Sequence, residues 1–424
     1  MTAPAIVANG MLDTRQAIEA LRAGVPNRAA IRQMGTEQTA IEDAFEAILA
    51  SSWAEPASAR PGIGVAGGFG TGKSHMLGYL AEVAAGQNFV VSRVVVSKET
   101  PLSHPGHVFA AALRDASLPD RPDDAVAACI ANLRARPDSL DALEATLSTP
   151  EAGFPPVFAA CVFLLRRSST TPEMLRRVGR LWSGAKVSMP AIRQALGAAG
   201  AGRTFALKPV PAAEMTGHLV RFLPLLVRAA GYAGWCILLD EVELIGRYTP
   251  LQRALAYTWL ANWLGLDGAQ RVPGLAVAYA ITDDFATAVI NARLDSEKLP
   301  ERLILKGREA EAALARTGIA HIEHTVLNNR LLPPTSADLL TCHDKVRAMY
   351  QDAYRWATPP LPPPERTSSR TVRQYIKGWI TQWDLQRLDG HAVRLISDGI
   401  ATNYAEDASL TEPGPDSPPE LDTP

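Results

Sequence analysis

The sequence feature that most constrains the fold is the stretch PGIGVAGGFGTGKSHML at 61–77. It contains the pattern Gly67-x-x-x-x-Gly72-Lys73-Ser74, entered from an apolar run typical of a buried strand and followed by a run with helical character. Strand, glycine-rich loop and helix in this order predict a phosphate-binding loop, because backbone N–H groups and a helix N-terminus then converge on anionic oxygens. The alternative is an ordinary glycine-rich turn, which a second matching element would disfavour.

The residue types in this loop suit the separate tasks of nucleotide binding. Glycines allow the unusual dihedral angles and the close approach of phosphates, the Lys73 ammonium can reach β- and γ-phosphates, and the Ser74 hydroxyl is a ligand for Mg²⁺. The cofactors predicted are therefore ATP and Mg²⁺. The loop residues predicted to contact the nucleotide are Gly67, Gly68, Phe69, Gly70, Thr71, Gly72, Lys73, Ser74 and His75.

A second element with matching chemistry is GWCILLDEVELI at 234–245. Its run 235–239 is continuously apolar, as in a strand buried on both faces, and it ends in Asp240 and Glu241. This is the pattern of a Walker B strand: Asp240 is predicted to help hold Mg²⁺ together with Ser74, and Glu241 to polarise the attacking water. The alternative is a core strand that ends in an acidic turn.

A further apolar run, GLAVAYAIT at 274–282, predicts another strand of the same sheet. Thr282 at its tip is expected between the two loops, where it could position the lytic water or sense the γ-phosphate. The predicted catalytic residues are thus Lys73, Glu241 and Thr282. The candidates for an arginine finger are Arg302, Arg308 and Arg316, for each of which an exposed surface arginine is the favoured alternative. Arg370 or Arg373 could reach the nucleotide from the lid, and the sequence does not choose among these arginines.

Charge and composition argue against a general nucleic-acid-binding protein, a cysteine-based metal site and a membrane-spanning protein. With 42 basic and 44 acidic residues the net charge is -2, which predicts no bulk affinity for nucleic acid. DNA contact would have to be local, and the most basic stretch is RRSSTTPEMLRRVGR at 166–180, for which a solvated helix surface is the favoured alternative. The cysteines lack metal-ligand spacing. The apolar run 157–165 is too short to cross a membrane and no signal peptide is visible, so a cytoplasmic protein without membrane association is expected.

These elements predict an α/β fold: a P-loop NTPase of the AAA+/ASCE type, with a parallel sheet core, a helical insertion and a C-terminal helical lid. The run 319–327 is expected to be the last strand, 334–356 a pair of helices, and the N-terminal helices are candidates to pack beside the adenine. The predicted units are an N-terminal helical segment at 1–54, the first part of the ATPase core at 55–102, a mainly helical insertion at 103–231, the Walker B and sensor part of the core at 232–328, the lid at 329–403 and a disordered, acidic, proline-rich tail at 404–424.

Four phrases together resemble BrxD, the ATP-binding protein family of BREX bacteriophage-defence systems, which is related to the larger BrxC and PglY ATPases. They are LRAGVPNRAAIRQMG at 21–35, GGFGTGKSH at 67–75, VSKETPL at 96–102 and LLDEVELIGRY at 238–248. The resemblance implies a cytoplasmic ATPase that acts with a methyltransferase, a phosphatase-like protein and often a helicase. It also supports nucleotide roles for 67–74 and for Asp240 with Glu241.

Three functional hypotheses follow. The first is an ATPase whose hydrolysis drives remodelling or regulation of a defence protein–DNA complex, with DNA contact and a homo-oligomer left open. The second is a nucleotide-gated scaffold that recruits partners with negligible turnover, against which Glu241 argues, because a binding switch needs no catalytic carboxylate. The third, a P-loop kinase acting on a small molecule, is disfavoured because no acceptor site is recognisable in the sequence.

Overall fold

The computed structural model describes residues 4–24, 27–55, 58–119, 124–361 and 371–390. Within them the chain alternates helices with a few short strands, which makes it an α/β protein. The strands are β1 Ile63–Ala66, β2 Phe89–Val95, β3 Gly234–Asp240 and β4 Leu275–Ile281. The helices are α1 Pro4–Ala23, α2 Arg28–Met34, α3 Thr39–Ala50, α4 Lys73–Gly86, α5 Pro105–Asp115, α6 Ala125–Arg134, α7 Pro137–Ser148, α8 Pro156–Arg166, α9 Pro172–Trp182, α10 Met189–Ala198, α11 Ala212–Ala229, α12 Pro250–Leu264, α13 Asp295–Ile304, α14 Glu309–Asn328, α15 Ser336–Tyr354 and α16 Val372–Asp389.

The four strands form one parallel sheet in the order β1-β4-β3-β2. The register pairs Val65 with Ala280 across β1 and β4, and Leu238 with Ala278 across β3 and β4. Since parallel strands share one carboxyl edge, the residues that follow β1, β4 and β3 come together there. Strand β4, which Thr282 follows, lies between β1 and β3, as the predicted role of Thr282 requires. The role itself stays a prediction.

Helices cover both faces of the sheet, which explains why its strands are apolar on both sides. On one face, Phe45 of α3 and Leu77 of α4 pack against alternate strand residues such as Val65 and Leu238. On the other face, the residues in between, such as Ile237, belong to a larger core that includes α5, α11, α12 and α14. The P-loop helix α4 is thereby held against the sheet from which its loop emerges.

The long interval between β2 and β3 contains helices α5 to α11 and a 3₁₀ turn, Pro150–Ala152. Its first and last helices, α5 and α11, contact β2 and β3 and so belong to the layer that covers the sheet. The helices between them extend the same hydrophobic core outward through Phe158 of α8 and Trp182 of α9, whose rings pack against Phe222 of α11. The apolar run 157–165 lies in the buried helix α8. No helix among the described residues is long and apolar enough to cross a membrane.

The N-terminal and C-terminal helices form one body rather than two. Ile18 of α1, Tyr350 of α15 and Trp383 of α16 lie in a single core that is separate from the two cores of the sheet. Residues far apart in sequence also bond there: Arg22 Nε donates to Asp384 Oδ2 at 3.1 Å. The predicted unit boundaries remain a prediction, and the tail at 404–424 lies outside the described residues.

Two expectations about secondary structure are wrong. The run 319–327 lies in α14, because Ile319, Ile322 and Val326 recur at helical spacing and pack against the core. Strand-like pairing beside β1 comes instead from a single bridge between Ala66 and Arg330, with Ala66 N donating to Asn329 O at 2.9 Å. The run 334–356 holds one helix, α15, which begins after a capping box of Thr335 and Asp338.

Candidate functional site

The loop between β1 and α4 has the backbone geometry that a phosphate-binding loop requires. Gly70 has φ +75° and Gly72 has φ +107°, and residues with a Cβ are strained there. Thr71 Oγ1 donates to Gly68 O at 2.9 Å, which closes the loop on itself. Because α4 begins at Lys73, directly after the glycines, the loop and a helix N-terminus are adjacent, an arrangement that suits an anion.

The Lys73 ammonium lies inside this loop. The residue is buried, and its Nζ donates to Gly67 O at 3.1 Å and to Gly68 O at 3.4 Å. Glu243 Oε1 is 3.5 Å from the same nitrogen, and the Phe69 ring centroid is 6.0 Å away. Lys73 is therefore held by oxygens of the loop on one side and by a carboxylate on the other.

The carboxylates that follow β3 are arranged by an unusual backbone turn. All of β3 is buried, Asp240 ends it, and Glu241 then adopts the left-handed region with φ +60°. The Glu241 N–H donates to Asp240 Oδ1 at 3.0 Å. A non-glycine residue in this region costs free energy, and such residues concentrate at functional sites. The chain continues as the 3₁₀ helix Val242–Arg247, which brings Glu243 back toward Lys73.

Burial dominates the acid–base properties of these groups. Burial raises the pKa of Glu241, the neighbouring Asp240 raises it further, and Lys73 and Arg373 act in the opposite direction. Burial raises the pKa of Glu243 to about 7, although Lys73 opposes the shift. A carboxylate with a raised pKa is a better proton acceptor near neutral pH, which is the property that a general base needs.

A cavity of about 550 Å³ opens beside the loop. The P-loop and the start of α4 line it from Phe69 to Met76, together with Glu241 and Glu243. Its opposite wall comes from the body of N- and C-terminal helices, including Ile31 of α2 and residues 331–335. The cavity therefore lies between the sheet core and this second body. Charged residues line it from both, among them Lys73 and Glu241 from the core and Lys345 and Arg373 from the second body.

The structure places the remaining predicted nucleotide contacts at this cavity or next to it. Ser74 lines it, and so does His75, whose Nε2 donates to Gly35 O at 2.8 Å and whose pKa is lowered by burial. Asp240 is buried at the end of β3 beside Glu241. Thr282 follows β4 as predicted. It is buried, however, and it is not among the residues that line the cavity.

Of the candidate arginines, the structure brings Arg373 to the site. It stands in the first turn of α16, lines the cavity and lowers the pKa of Glu241. Thr371, the N-cap of α16, approaches the P-loop so closely that a Cβ on Gly70 would lie 3.1 Å from its methyl carbon. Arg302, Arg308 and Arg316 are not among the residues that line the cavity, and Arg308 pairs with Glu311. Arg370 lies outside the described residues.

The donor set fits a magnesium-bound nucleotide. The loop leads into the N-terminus of α4, where first-turn N–H groups suit an anion, and Lys73 supplies a positive charge beside Glu243. Mg²⁺ in nucleotide sites keeps several waters and needs few protein oxygens, so the Ser74 hydroxyl and the Asp240 carboxylate form a sufficient set. No preformed cluster of three or more metal-ligating side chains occurs in the ranges that the structure describes.

The basic stretch 166–180 is partly neutralised by acids. Arg166 Nη1 is 2.7 Å from Asp141 Oδ1 and also pairs with Glu144, and Arg177 Nη2 is 3.0 Å from Glu173 Oε1. The Arg167 guanidinium lies over the Phe163 ring, 4.7 Å from its centroid. These contacts favour the interpretation of a solvated helix surface, and DNA contact stays a prediction.

Comparison with known proteins adds one finding at this point. Residues 11–133 match the family model for the BREX system ATP-binding protein BrxC/D. The matched span contains the P-loop and three of the four phrases that carry the resemblance to this family, and it supports a BREX ATP-binding protein. It does not separate BrxD from BrxC. No curated protein and no solved structure matches the chain.

The BREX family match ends well before β3, so support for the acidic residues there comes from geometry alone. Sequence reasoning missed two of the charged residues near the loop. The only sequence feature that points to Glu243 is its position as the last acidic residue of the phrase DEVE at 240–243. Arg330 pairs with Asp283 next to the end of β4. It belongs to no sequence motif, because it lies in the short segment between a helix and a proline pair.

Proposed function

We propose that this chain is a Mg²⁺-dependent ATPase of a BREX-type antiphage defence system. The observation that carries the proposal is the convergence of Lys73 and Ser74 of the P-loop with Glu241 of the β3 turn on one cavity. Its P-loop NTPase fold of the AAA+/ASCE type is supported by the strand order, in which β4 lies between the P-loop strand and the acidic strand.

The residues divide the work as follows. The loop N–H groups and Lys73 bind the phosphates, and Ser74 and Asp240 hold Mg²⁺, which when bound neutralises charge on the β- and γ-phosphate oxygens. Glu241 orients the attacking water and accepts its proton, for which its raised pKa suits it. Asp240 accepts the Glu241 N–H and so fixes the backbone of the base. Thr282, buried behind this edge, supports the water position indirectly.

We extend the proposal to the biological role that the BREX match suggests. Hydrolysis in the cytoplasm would be coupled to remodelling or regulation of a defence protein–DNA complex that includes a methyltransferase, a phosphatase-like protein and a helicase. A homo-oligomer in which a neighbouring copy supplies an arginine is part of this hypothesis. The cavity between two bodies supports coupling, because a ligand there contacts both.

The test is ATP hydrolysis by the purified protein, with and without duplex DNA, and with ATP binding measured on every variant. Glu241→Gln should abolish turnover while it retains ATP binding, and Lys73→Ala should bind ATP more weakly than the parent. Glu151→Gln is the matched control, because Glu151 is exposed in the helical insertion, and it should behave as the parent protein. If the parent binds Mg-ATP but turns over no faster than Glu241→Gln, even with DNA, the nucleotide-gated scaffold replaces the ATPase.

A further inference from the structure

Three protein oxygens surround the ammonium of the P-loop lysine, two as hydrogen-bond acceptors and one as an ion-pair partner. Lys73 Nζ lies 3.1 Å from Gly67 O, 3.4 Å from Gly68 O and 3.5 Å from Glu243 Oε1. An ammonium has three N–H donors and no more. Phosphate oxygens can therefore gain this ammonium only if one of its present contacts is given up.

Glu243 is the contact whose loss costs most. Its side chain is 5% exposed, and within the described residues its second oxygen, Oε2, has no hydrogen-bond partner. The charged groups that act on it are Lys73 from α4, and Glu241 and Asp240 from its own strand and turn. If Lys73 turned away, a buried carboxylate would be left beside two others without its cation, which is a costly arrangement.

We propose that Glu243 is a latch on Lys73, which holds the ammonium toward the floor of the loop and lowers phosphate affinity by competing for it. The inference rests on the proposed nucleotide binding and goes beyond it, because Glu243 is assigned neither to Mg²⁺ nor to water activation. It is a positioning residue that acts on the substrate through Lys73.

A different role for Glu243 predicts a different result. If the carboxylate aligned Lys73 for the phosphates, its removal would weaken nucleotide binding. If it only stored negative charge near a triphosphate, its removal would strengthen binding whether or not Lys73 were present. The latch alone requires a gain that depends on Lys73.

The experiment measures dissociation constants of Mg-ATP, Mg-ADP and AMP at pH 8, where Glu243 is ionised. Glu243→Gln keeps the shape of the side chain and removes its charge. Its Kd for ATP and ADP should fall about tenfold, because the Lys73 charge would no longer be shared between Glu243 and the phosphates. Its Kd for AMP should be unchanged, because Lys73 is assigned to the β- and γ-phosphates.

Two further sets of variants control for charge and for folding. In the Lys73→Met background, Glu243→Gln should give no gain, since the latch has nothing to hold. Glu241→Gln removes a neighbouring negative charge that lies outside the latch and measures the general electrostatic effect. Glu243→Met, which is similar in length and apolar, carries the same expectation if the glutamine variant unfolds.

The outcomes separate the latch from the proposed function. An unchanged or higher Kd for ATP in Glu243→Gln overturns the latch while ATP binding stands. A gain that persists in Lys73→Met, or that extends equally to AMP, also overturns it. Failure of the parent and of every variant to bind ATP overturns the nucleotide site itself, and the latch with it.

Discussion

Glu241 follows Asp240 with a left-handed backbone, and its N–H donates to the Asp240 carboxylate at 3.0 Å. The turn brings Glu241 to the wall of the cavity instead of continuing the direction of β3. The same turn starts the 3₁₀ helix that carries Glu243. One strained residue therefore sets the position of both carboxylates.

The first prediction concerns this backbone strain. Glu241→Gly and Glu241→Ala both remove the carboxylate, but only glycine adopts φ +60° without a Cβ penalty. The glycine variant should exceed the alanine variant in free energy of unfolding by about 1 kcal/mol. Denaturant unfolding of the two proteins measures the difference, and both should lack ATP turnover.

The control is the same pair of substitutions at Glu151, which has no positive φ. There glycine should be the less stable of the two variants, because it gains backbone freedom on unfolding. Equal stability of Glu241→Gly and Glu241→Ala would contradict the strained turn.

Sequence patterns predict this site where its signals are local. The P-loop spacing is contiguous, and the apolar run of β3 ends at the residue that becomes Asp240. The approach of Glu243 to Lys73 escapes such patterns because it requires the left-handed turn, which no residue type marks when the turn residue is a glutamate. The run 319–327 resembles a strand because isoleucine and valine favour strands, whereas tertiary packing on α12 makes it helical.

Long-range contacts are the other limit on what the sequence predicts. The N-terminal segment and the lid are separate units in the sequence-based prediction, although Arg22 and Asp384 bond across the chain and share one body. Nothing in the periodicity of either helix reveals which partner covers its apolar face. The sequence accordingly suggests which helices stand opposite the P-loop, and only the folded chain shows how they form the wall of the cavity.

The second prediction concerns the pH dependence of stability through Glu243. Burial raises its pKa from 4.5 to about 7, so the folded protein binds a proton more tightly than the unfolded chain does. The resulting stabilisation is fully present below pH 4.5 and is lost as the pH rises through 7. The free energy of unfolding of the parent, relative to Glu243→Gln, should fall by about 3 kcal/mol across this range.

Denaturant unfolding at several pH values measures that difference, in which the titration of groups far from Glu243 cancels. The difference in free energy of unfolding between the parent and Glu151→Gln should not fall in this way as the pH rises, because Glu151 is exposed. A flat difference for Glu243→Gln would mean that its carboxylate is solvated.

The third prediction concerns Arg373. It lines the cavity and acts on Glu241, whose pKa it lowers. Arg373→Ala should raise the Kd for ATP about fivefold, as loss of roughly 1 kcal/mol of charge interaction at an accessible site implies. It should also move the acid limb of the pH–rate profile for hydrolysis upward, because the pKa of the general base rises.

Arg203→Ala is the matched control, since Arg203 is exposed in the insertion and outside the cavity. It should change neither the Kd nor the position of the acid limb. An unaltered Kd and profile in Arg373→Ala would remove this arginine from the site and leave the finger candidates on α13 and α14.

The fourth prediction concerns the ion pair that ties the β3 turn to the helix α13. Arg253 Nε and Asp295 Oδ2 are 3.0 Å apart, both residues are buried, and Arg253 Nη1 also donates to Tyr248 O at 2.8 Å. Asp295→Asn leaves a buried guanidinium without its counter-charge and should lower the free energy of unfolding by about 3–5 kcal/mol. The double variant Arg253→Met with Asp295→Leu should recover only part of that loss, because the buried Tyr257 hydroxyl, which donates to Asp295 Oδ2 at 3.0 Å, loses its acceptor.

The control for this prediction is an ion pair on the surface, whose loss should cost much less stability. Arg166→Met, which breaks the contacts with Asp141 and Glu144, should cost less than about 1 kcal/mol in the same denaturant assay. Because Tyr248 directly follows the 3₁₀ helix that begins at the Glu241 turn, Asp295→Asn should also lower the rate of ATP hydrolysis, whereas Arg166→Met should leave that rate unchanged. A loss of stability no larger than that of Arg166→Met would show that the Arg253–Asp295 pair does not anchor this turn.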